Sequence, residues 1–174
     1  MSQSRFVIVM GVSGSGKSTL GQSLATHLGT VFLEGDDYHP AANKAKMSAG
    51  IALNDDDRWP WLDQLAAGLK THVADGGVIV GSCSALKRRY RDRLRAALGH
   101  STHFICLQAD KTLLQQRMSQ RVGHYMPVSL LDSQLDAFEP PQAEEGVLLL
   151  SSAQQPEVQV QAALDYLSSA DPQR

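Results

Sequence analysis

Apolar residues recur along this chain in two alternating rhythms. Short continuous runs at Phe6–Val9, Val31–Leu33, Val78–Val80, Phe104–Leu107 and Val147–Leu150 read as buried strands. Between them the apolar positions take helical spacing. Thr19–Leu28 carries Leu20, Leu24 and Leu28 on one stripe. A second helix is predicted to start near Pro60, a good first-turn residue, with Leu62, Leu65, Leu69 and Val73 inward and Gly76-Gly77 as its stop. A third follows Ser84 as N-cap and aligns Leu86, Tyr90, Leu94 and Leu98. A last one runs from about Glu157 to Ser168 with Val160, Ala163, Leu164 and Leu167 inward. Strands alternating with helices predict an α/β fold of three layers, α/β/α, around a parallel sheet with right-handed crossovers. No repeat, low-complexity tract or linker divides the chain, so residues 1–174 read as one domain.

Two stretches break the rhythm. Residues 34–61 are polar, acidic and punctuated; residues 117–139 begin basic and pass through Gly123-His124-Tyr125-Met126-Pro127. In doubly wound sheets, ligands bind beyond the carboxyl ends of the strands. Insertions emerging there are expected to be a substrate-binding segment (34–61) and a lid (117–139).

Between the first strand and first helix lies Gly11-Val-Ser-Gly-Ser-Gly16-Lys17-Ser18, which fits the phosphate-loop pattern in its required context. The glycines let the backbone curl so that successive N–H groups meet one set of phosphate oxygens, and the helix N-terminus adds partial positive charge. Gly11, Ser13, Gly14, Ser15, Gly16, Lys17, Ser18 and Thr19 are therefore assigned to a nucleotide. Lys17 supplies full charge to the outer phosphates, and Ser18 is placed to ligate Mg²⁺.

Composition narrows the classes. A net charge of −2 gives no reason to expect nucleic acid or membrane as partner, and no apolar run approaches a membrane span. The first strand opens almost at the N-terminus, so no cleavable leader is expected. Cys83 and Cys106 sit in or beside strand-like runs and read as reduced, buried thiols of a cytoplasmic protein. His103 lies three residues before Cys106, on the opposite face of a strand, so the pair is no metal site. Asn43-Lys44-Ala45-Lys46 lacks the acid of a guanine-reading motif, which argues against a GTPase. The short chain and its two insertions favour a small-molecule kinase over a nucleotide-gated binding protein.

Phosphoryl transfer to an alcohol needs positioning, a metal ion, cations on developing charge and a carboxylate for the hydroxyl proton. The third strand ends Gly81-Ser82-Cys83-Ser84 without an acid, so the metal-side carboxylate is assigned to Glu34 and the acceptor-side base to Asp36. Arg58 suits a bidentate grip on a carboxylate. The basic run Lys87–Arg95 lies on an amphipathic helix and is expected to be mostly a solvated face, with Lys87 pointing into the site. Arg117 and Arg121 share a helical face and are expected to close over the triphosphate, with His124 hydrogen-bonding the acceptor.

These motifs together resemble the small phosphate-loop gluconate kinases over essentially the whole chain. The resemblance rests on the glycine loop, Gly35-Asp36-Asp37-Tyr-His39-Pro40, Leu53-Asn-Asp55-Asp-Asp57-Arg58 with Pro60-Trp61-Leu62, Cys83-Ser84-Ala85-Leu86-Lys87, and Arg121-Val-Gly123-His124-Tyr125-Met126-Pro127. It implies a fold related to shikimate and nucleoside-monophosphate kinases, with five strands in the order 2-3-1-4-5. It further implies ATP and Mg²⁺, transfer to the C6 hydroxyl of D-gluconate, and a homodimer. By motif position, Asp36, His39, Arg58, Lys87, His124 and Gln134 become the gluconate-side residues. Ile51-Ala52 and Tyr125 depart from the family's usual residues without touching an assigned charge.

Overall fold

The computed structural model describes residues 3–120 and 130–170. Alternation within the apolar runs sets its layers. In β1 (Arg5–Met10), Phe6, Ile8 and Met10 face one side of the sheet while Val7 and Val9 face the other, as successive strand side chains must. β3 (Val78–Ser82) and β4 (Thr102–Gln108) flank β1, and β2 (Phe32–Leu33) and β5 (Leu148–Ser151) form the edges. All pairings are parallel and the order is β2-β3-β1-β4-β5, as the resemblance implies.

Each face is covered by helices. On the Ile8 side lie α3 (Asp55–His72) and α4 (Arg88–Leu98), packed through Leu62, Leu65, Leu69, Tyr90 and Leu94. On the Val7 side lie α1 (Lys17–Leu28) and α7 (Pro156–Ser169), packed through Leu20, Leu24, Val160 and Ala163. His103 and Cys106 do project oppositely: His103 meets the Tyr166 ring of α7 edge-on at 6.2 Å, whereas Cys106 is buried in the other core.

Several boundaries differ from expectation. The helix predicted near Pro60 starts at Asp55, because Asn54 makes a reciprocal cap. Its side chain accepts from the Asp57 amide at 2.8 Å, and the Asp57 carboxylate accepts from the Asn54 amide at 3.0 Å. Such a cap satisfies two orphan donors and outweighs the proline as a start signal. Val73 is an extended C-cap. Likewise Ser84 is not the cap of α4; Lys87 is. Ala85 sits at φ +45°, a left-handed conformation that keeps the preceding stretch out of the helix, and Leu86 reaches the core from a loop. The apolar rhythm gives no sign of α2 (Ala41–Ser48) or α6 (Leu130–Ala137), both short and inside the two irregular stretches; α5 (Lys111–Ser119) follows β4.

Among the described residues, no helix is long and apolar enough to cross a membrane. The carboxyl ends of β1, β2 and β3 converge on one edge of the sheet, where the chain passes into the glycine loop, into Glu34, and into the Cys83–Lys87 loop.

Candidate active site

β1 runs straight into the glycine loop, and α1 starts at Lys17. Gly16 caps α1 at φ 100°, a left-handed turn that aims the first amides of the helix back across the loop and that a side chain would strain. Lys17 donates from Nζ to the Val12 carbonyl at 3.0 Å, which folds its stem over the loop. Below the loop, the Ser15 carbonyl accepts from the Ser152 hydroxyl at 2.8 Å, so the segment after β5 holds the loop's shape.

Glu34, just past the end of β2, joins the first turn of α1 to the end of β3. It accepts from the Ser18 hydroxyl through one oxygen and from the Ser82 hydroxyl at 2.6 Å through the other. Ser82 accepts in turn from the Gly35 amide at 3.1 Å. Gly35 is obligatory here, since an added Cβ would lie 1.9 Å from the Ser82 carbonyl oxygen. The Ser18 hydroxyl and Glu34 carboxylate are hard oxygen donors side by side. They fit Mg²⁺, which keeps several waters and needs only one or two protein oxygens besides phosphate. No group of three or more His, Cys, Asp or Glu side chains at metal-binding distance occurs among the described residues.

The acceptor side is built from the short 3₁₀ turn Gly35–Tyr38 and from α2, α3 and α6. Asp36 stands on the turn with its carboxylate half-exposed, 3.9 Å from His39 Nε2. His39 is buried, stacked on Trp61 at 4.1 Å. Burial, aided by the charges of Arg58 and Lys44, lowers its pKa to about 4. The Asn43 amide nitrogen lies 3.2 Å from His39 Nδ1 and also donates to the Asp57 carbonyl. A donor at Nδ1 leaves the ring neutral with its proton on Nε2, facing Asp36. Trp61, in turn, donates to the Gly35 carbonyl at 2.8 Å.

Arg58 and Lys87 approach from α3 and from the N-cap of α4. Arg58 Nη1 donates to the Leu53 carbonyl at 2.7 Å and to the Tyr90 hydroxyl at 3.0 Å. Lys87 lies 3.6 Å from Asp55. Gln134 of α6 reaches across to the phosphate loop, where its Oε1 accepts from the Ser13 amide at 2.7 Å. It thus touches the phosphate loop and lines the same cavity as Asp36 and His39. One cavity of about 290 Å³ is lined by Ser13, Gly14, Gly16, Lys17, Ser18, Glu34, Asp36, His39, Arg58 and Gln134. That volume is at the small end for ligand sites, suited to a compact acceptor.

Other expectations change. Arg117 does not line the cavity; it donates to the Gly14 and Ser15 carbonyls at 3.3 and 3.2 Å and to the Ser152 carbonyl at 2.9 Å. A guanidinium bound to three main-chain oxygens braces the loop rather than facing phosphate from above. Thr19 is exposed and does not line the cavity. Arg121 and His124 lie outside the described residues. Cys83 borders the site, but burial pushes its thiol up to about 12, so it packs and does not attack.

The basic helix is not merely a solvated face. Arg91 is fully buried, donating to Glu145 at 2.9 and 3.2 Å, to the Ala85 and Leu86 carbonyls, and to the Glu139 carbonyl. It holds the strained Cys83–Lys87 loop. Lys87, expected to point into the site, does not line the cavity of Lys17 and Asp36; it lines an adjoining one that shares Arg58 and Ser133 with it. Arg91 is three residues before Leu94, on the flank of the apolar stripe, and that spacing was the available signal.

Residues 6–141 match the family described as an AAA domain. The chain is 49% identical over 140 residues to the thermosensitive gluconokinase of Escherichia coli (strain K12), spanning 79% of this chain and 73% of that protein. It is 42% identical over 167 residues to the gluconokinase of Gluconobacter oxydans (strain 621H), spanning 96% of this chain and 93% of that one. The crystal structure of a gluconokinase from Sinorhizobium meliloti 1021 superposes with TM-score 0.82 at 43% identity, covering 97% of this chain and 94% of that one. Shikimate kinase from Aquifex aeolicus shares the fold, with TM-score 0.58 at 13% identity over 94% of this chain and 96% of that one.

Proposed function

This chain belongs to the gluconokinase family, and on that premise we propose that it transfers the γ-phosphoryl group of ATP to the C6 hydroxyl of D-gluconate. The observation that carries this reading is one cavity shared by a phosphate-binding set (Ser13, Gly14, Gly16, Lys17, Ser18) and an acceptor set (Asp36, His39, Arg58, Gln134).

The loop amides and Lys17 hold the polyphosphate, while Arg58 and Lys87 take the gluconate carboxylate and so fix the opposite end of the acceptor at the phosphate. Asp36 aims the C6 hydroxyl and accepts its proton as the new O–P bond forms and the bond to the β-phosphate oxygen breaks. The electron pair of that bond leaves with ADP. His39, neutral with Nε2–H outward, is a hydrogen-bond donor to Asp36 or to an acceptor hydroxyl. Ser18 and Glu34 would hold Mg²⁺, which would supply charge neutralisation for the transferring group. Arg121 and His124 belong to this reading as lid residues on the triphosphate and the acceptor. A homodimer and a cytoplasmic location come with the family resemblance and with the two reduced thiols.

Acceptor-dependent ADP release, followed with gluconate, shikimate and a nucleoside monophosphate, tests the assignment. Wild-type protein is expected to turn over with gluconate alone. Asp36→Asn is expected to lose about 10²–10⁴-fold in kcat, the usual worth of a positioned acid–base group, with ATP affinity retained. Turnover driven by another acceptor, or an Asp36→Asn variant as fast as wild type, contradicts these assignments.

A further inference from the structure

Tyr90 reads as a core residue of α4, and its ring is indeed 1% exposed. Its hydroxyl is not spent on the core. It accepts from Arg58 Nη1 at 3.0 Å and donates to the Asp55 carboxylate. The same ring lies under both acceptor-side cations: the Arg58 guanidinium carbon is 5.2 Å from its centroid and Lys87 Nζ is 5.8 Å away. Asp55 also faces Lys87 at 3.6 Å and Arg89 at 3.1 Å. Trp59 closes the outer side of the ring edge-on at 5.6 Å.

This arrangement has a directional consequence. A phenol that donates to a carboxylate is polarised toward accepting, so the Arg58 N–H finds a stronger acceptor than an isolated tyrosine. Arg58 is thereby tethered by two of its hydrogen bonds, to Tyr90 and to the Leu53 carbonyl, from a single nitrogen. Fixing a flexible side chain before the ligand arrives lowers the ordering cost of binding. Asp55 does this without occupying the guanidinium itself, because the hydroxyl stands between them.

We propose that Tyr90 is a positioning residue for the acceptor carboxylate, its hydroxyl linking Asp55 to Arg58 and its ring face carrying Arg58 and Lys87. The proposal rests on the reading of Arg58 and Lys87 as the carboxylate grip. Tyr90→Phe keeps the ring and its packing and removes only the hydroxyl, so it isolates the link.

The experiment measures kcat and KM for gluconate and for ATP in wild type, Tyr90→Phe, Arg58→Ala and the double variant, with a thermal melt of each. Tyr90→Phe is expected to raise the gluconate KM about tenfold, the scale of one hydrogen bond to a charged group, while kcat and the ATP KM stay within about twofold. In the Arg58→Ala background the same change is expected to have no further effect on kcat/KM, because the hydroxyl acts through that arginine. A purely structural hydroxyl predicts a lowered melting temperature with an unchanged gluconate KM, or equal factors in both backgrounds; either result overturns the proposal alone. A wild-type protein indifferent to gluconate overturns both the proposal and the reading beneath it.

Discussion

Lys17→Ala is expected to lower gluconate-dependent turnover by about 10³-fold, equivalent to ~4 kcal/mol of transition-state stabilisation. The reason lies in what the loop already supplies. Main-chain amides bind phosphate in ground state and transition state alike, and they remain in the variant. Lys17 adds the mobile full charge of the loop, and its Nζ, now on the Val12 carbonyl at 3.0 Å, is within side-chain reach of the outer phosphates. Charge gathering on the transferring group makes that contact stronger in the transition state than before it, which places the loss in kcat more than in KM. The side chain is only part-buried, so the melting temperature is expected to hold. Lys17→Arg keeps charge but not its compact shape and is expected to recover only a fraction. Turnover within tenfold of wild type in Lys17→Ala would show that the loop binds the nucleotide without acting in the transfer.

Arg91→Ala is expected to destabilise the protein by about 3–5 kcal/mol, the cost of stranding one member of a buried ion pair. Against a usual total of roughly 5–15 kcal/mol this is a large share. The Glu145 side chain is 1% exposed and that of Arg91 0%, and without Arg91 the carboxylate keeps Arg95 at 3.3 Å and the Gln142 amide at 2.9 Å. The Ala85 and Glu139 carbonyls lose the guanidinium donor as well, while the Leu86 carbonyl keeps the Glu139 amide. Urea unfolding of Arg91→Ala and of Glu145→Ala measures the effect. Replacing both by apolar residues of similar volume is expected to recover part of it. The pH dependence has a defined sign. Burial raises the Glu145 pKa, but hydrogen bonds from Arg91 and the Gln142 amide, with the charges of Arg91 and Arg95, outweigh it and hold the carboxyl at about 2, below its ordinary 4.5. A depressed carboxyl pKa contributes stability that is complete above about pH 4.5 and is lost as pH falls toward 2. A loss under about 1 kcal/mol in both single variants would contradict the buried-pair account.

The central strands were legible because β1, β3 and β4 are buried on both faces and leave continuous apolar runs, and because a glycine loop between strand and helix admits few alternatives. Boundaries were legible only where one signal acted alone. At α3 a reciprocal cap on Asn54 competes with Pro60 and prevails, and at α4 the left-handed Ala85 delays the start to Arg88. Ser18, Glu34 and Asp36 line one cavity as their positions imply, since the first turn of α1 and the segment after β2 both lie beyond the carboxyl ends of the strands. Charged residues were read less well. A basic run looks solvated by composition, yet Arg91 is buried because a glutamate 54 residues away reaches it. Shared spacing put Arg117 on a face, but spacing does not say which carbonyls that face meets after folding. Tyr90 shows the same limit: periodicity assigns the ring to the core and says nothing of the hydroxyl. His39 and Gln134 come to gluconate only through the family resemblance, and periodicity alone does not single them out; Lys87 is also suggested by its place near the end of β3.

The most direct test of the central claim is to incubate purified protein with magnesium, ATP and D-gluconate and to identify the product by phosphorus and proton NMR. The account predicts one new phosphomonoester, coupled to the C6 protons of gluconate and formed in step with ADP. ADP appearing without a phosphorylated gluconate, or a phosphate ester at any other carbon, would contradict it.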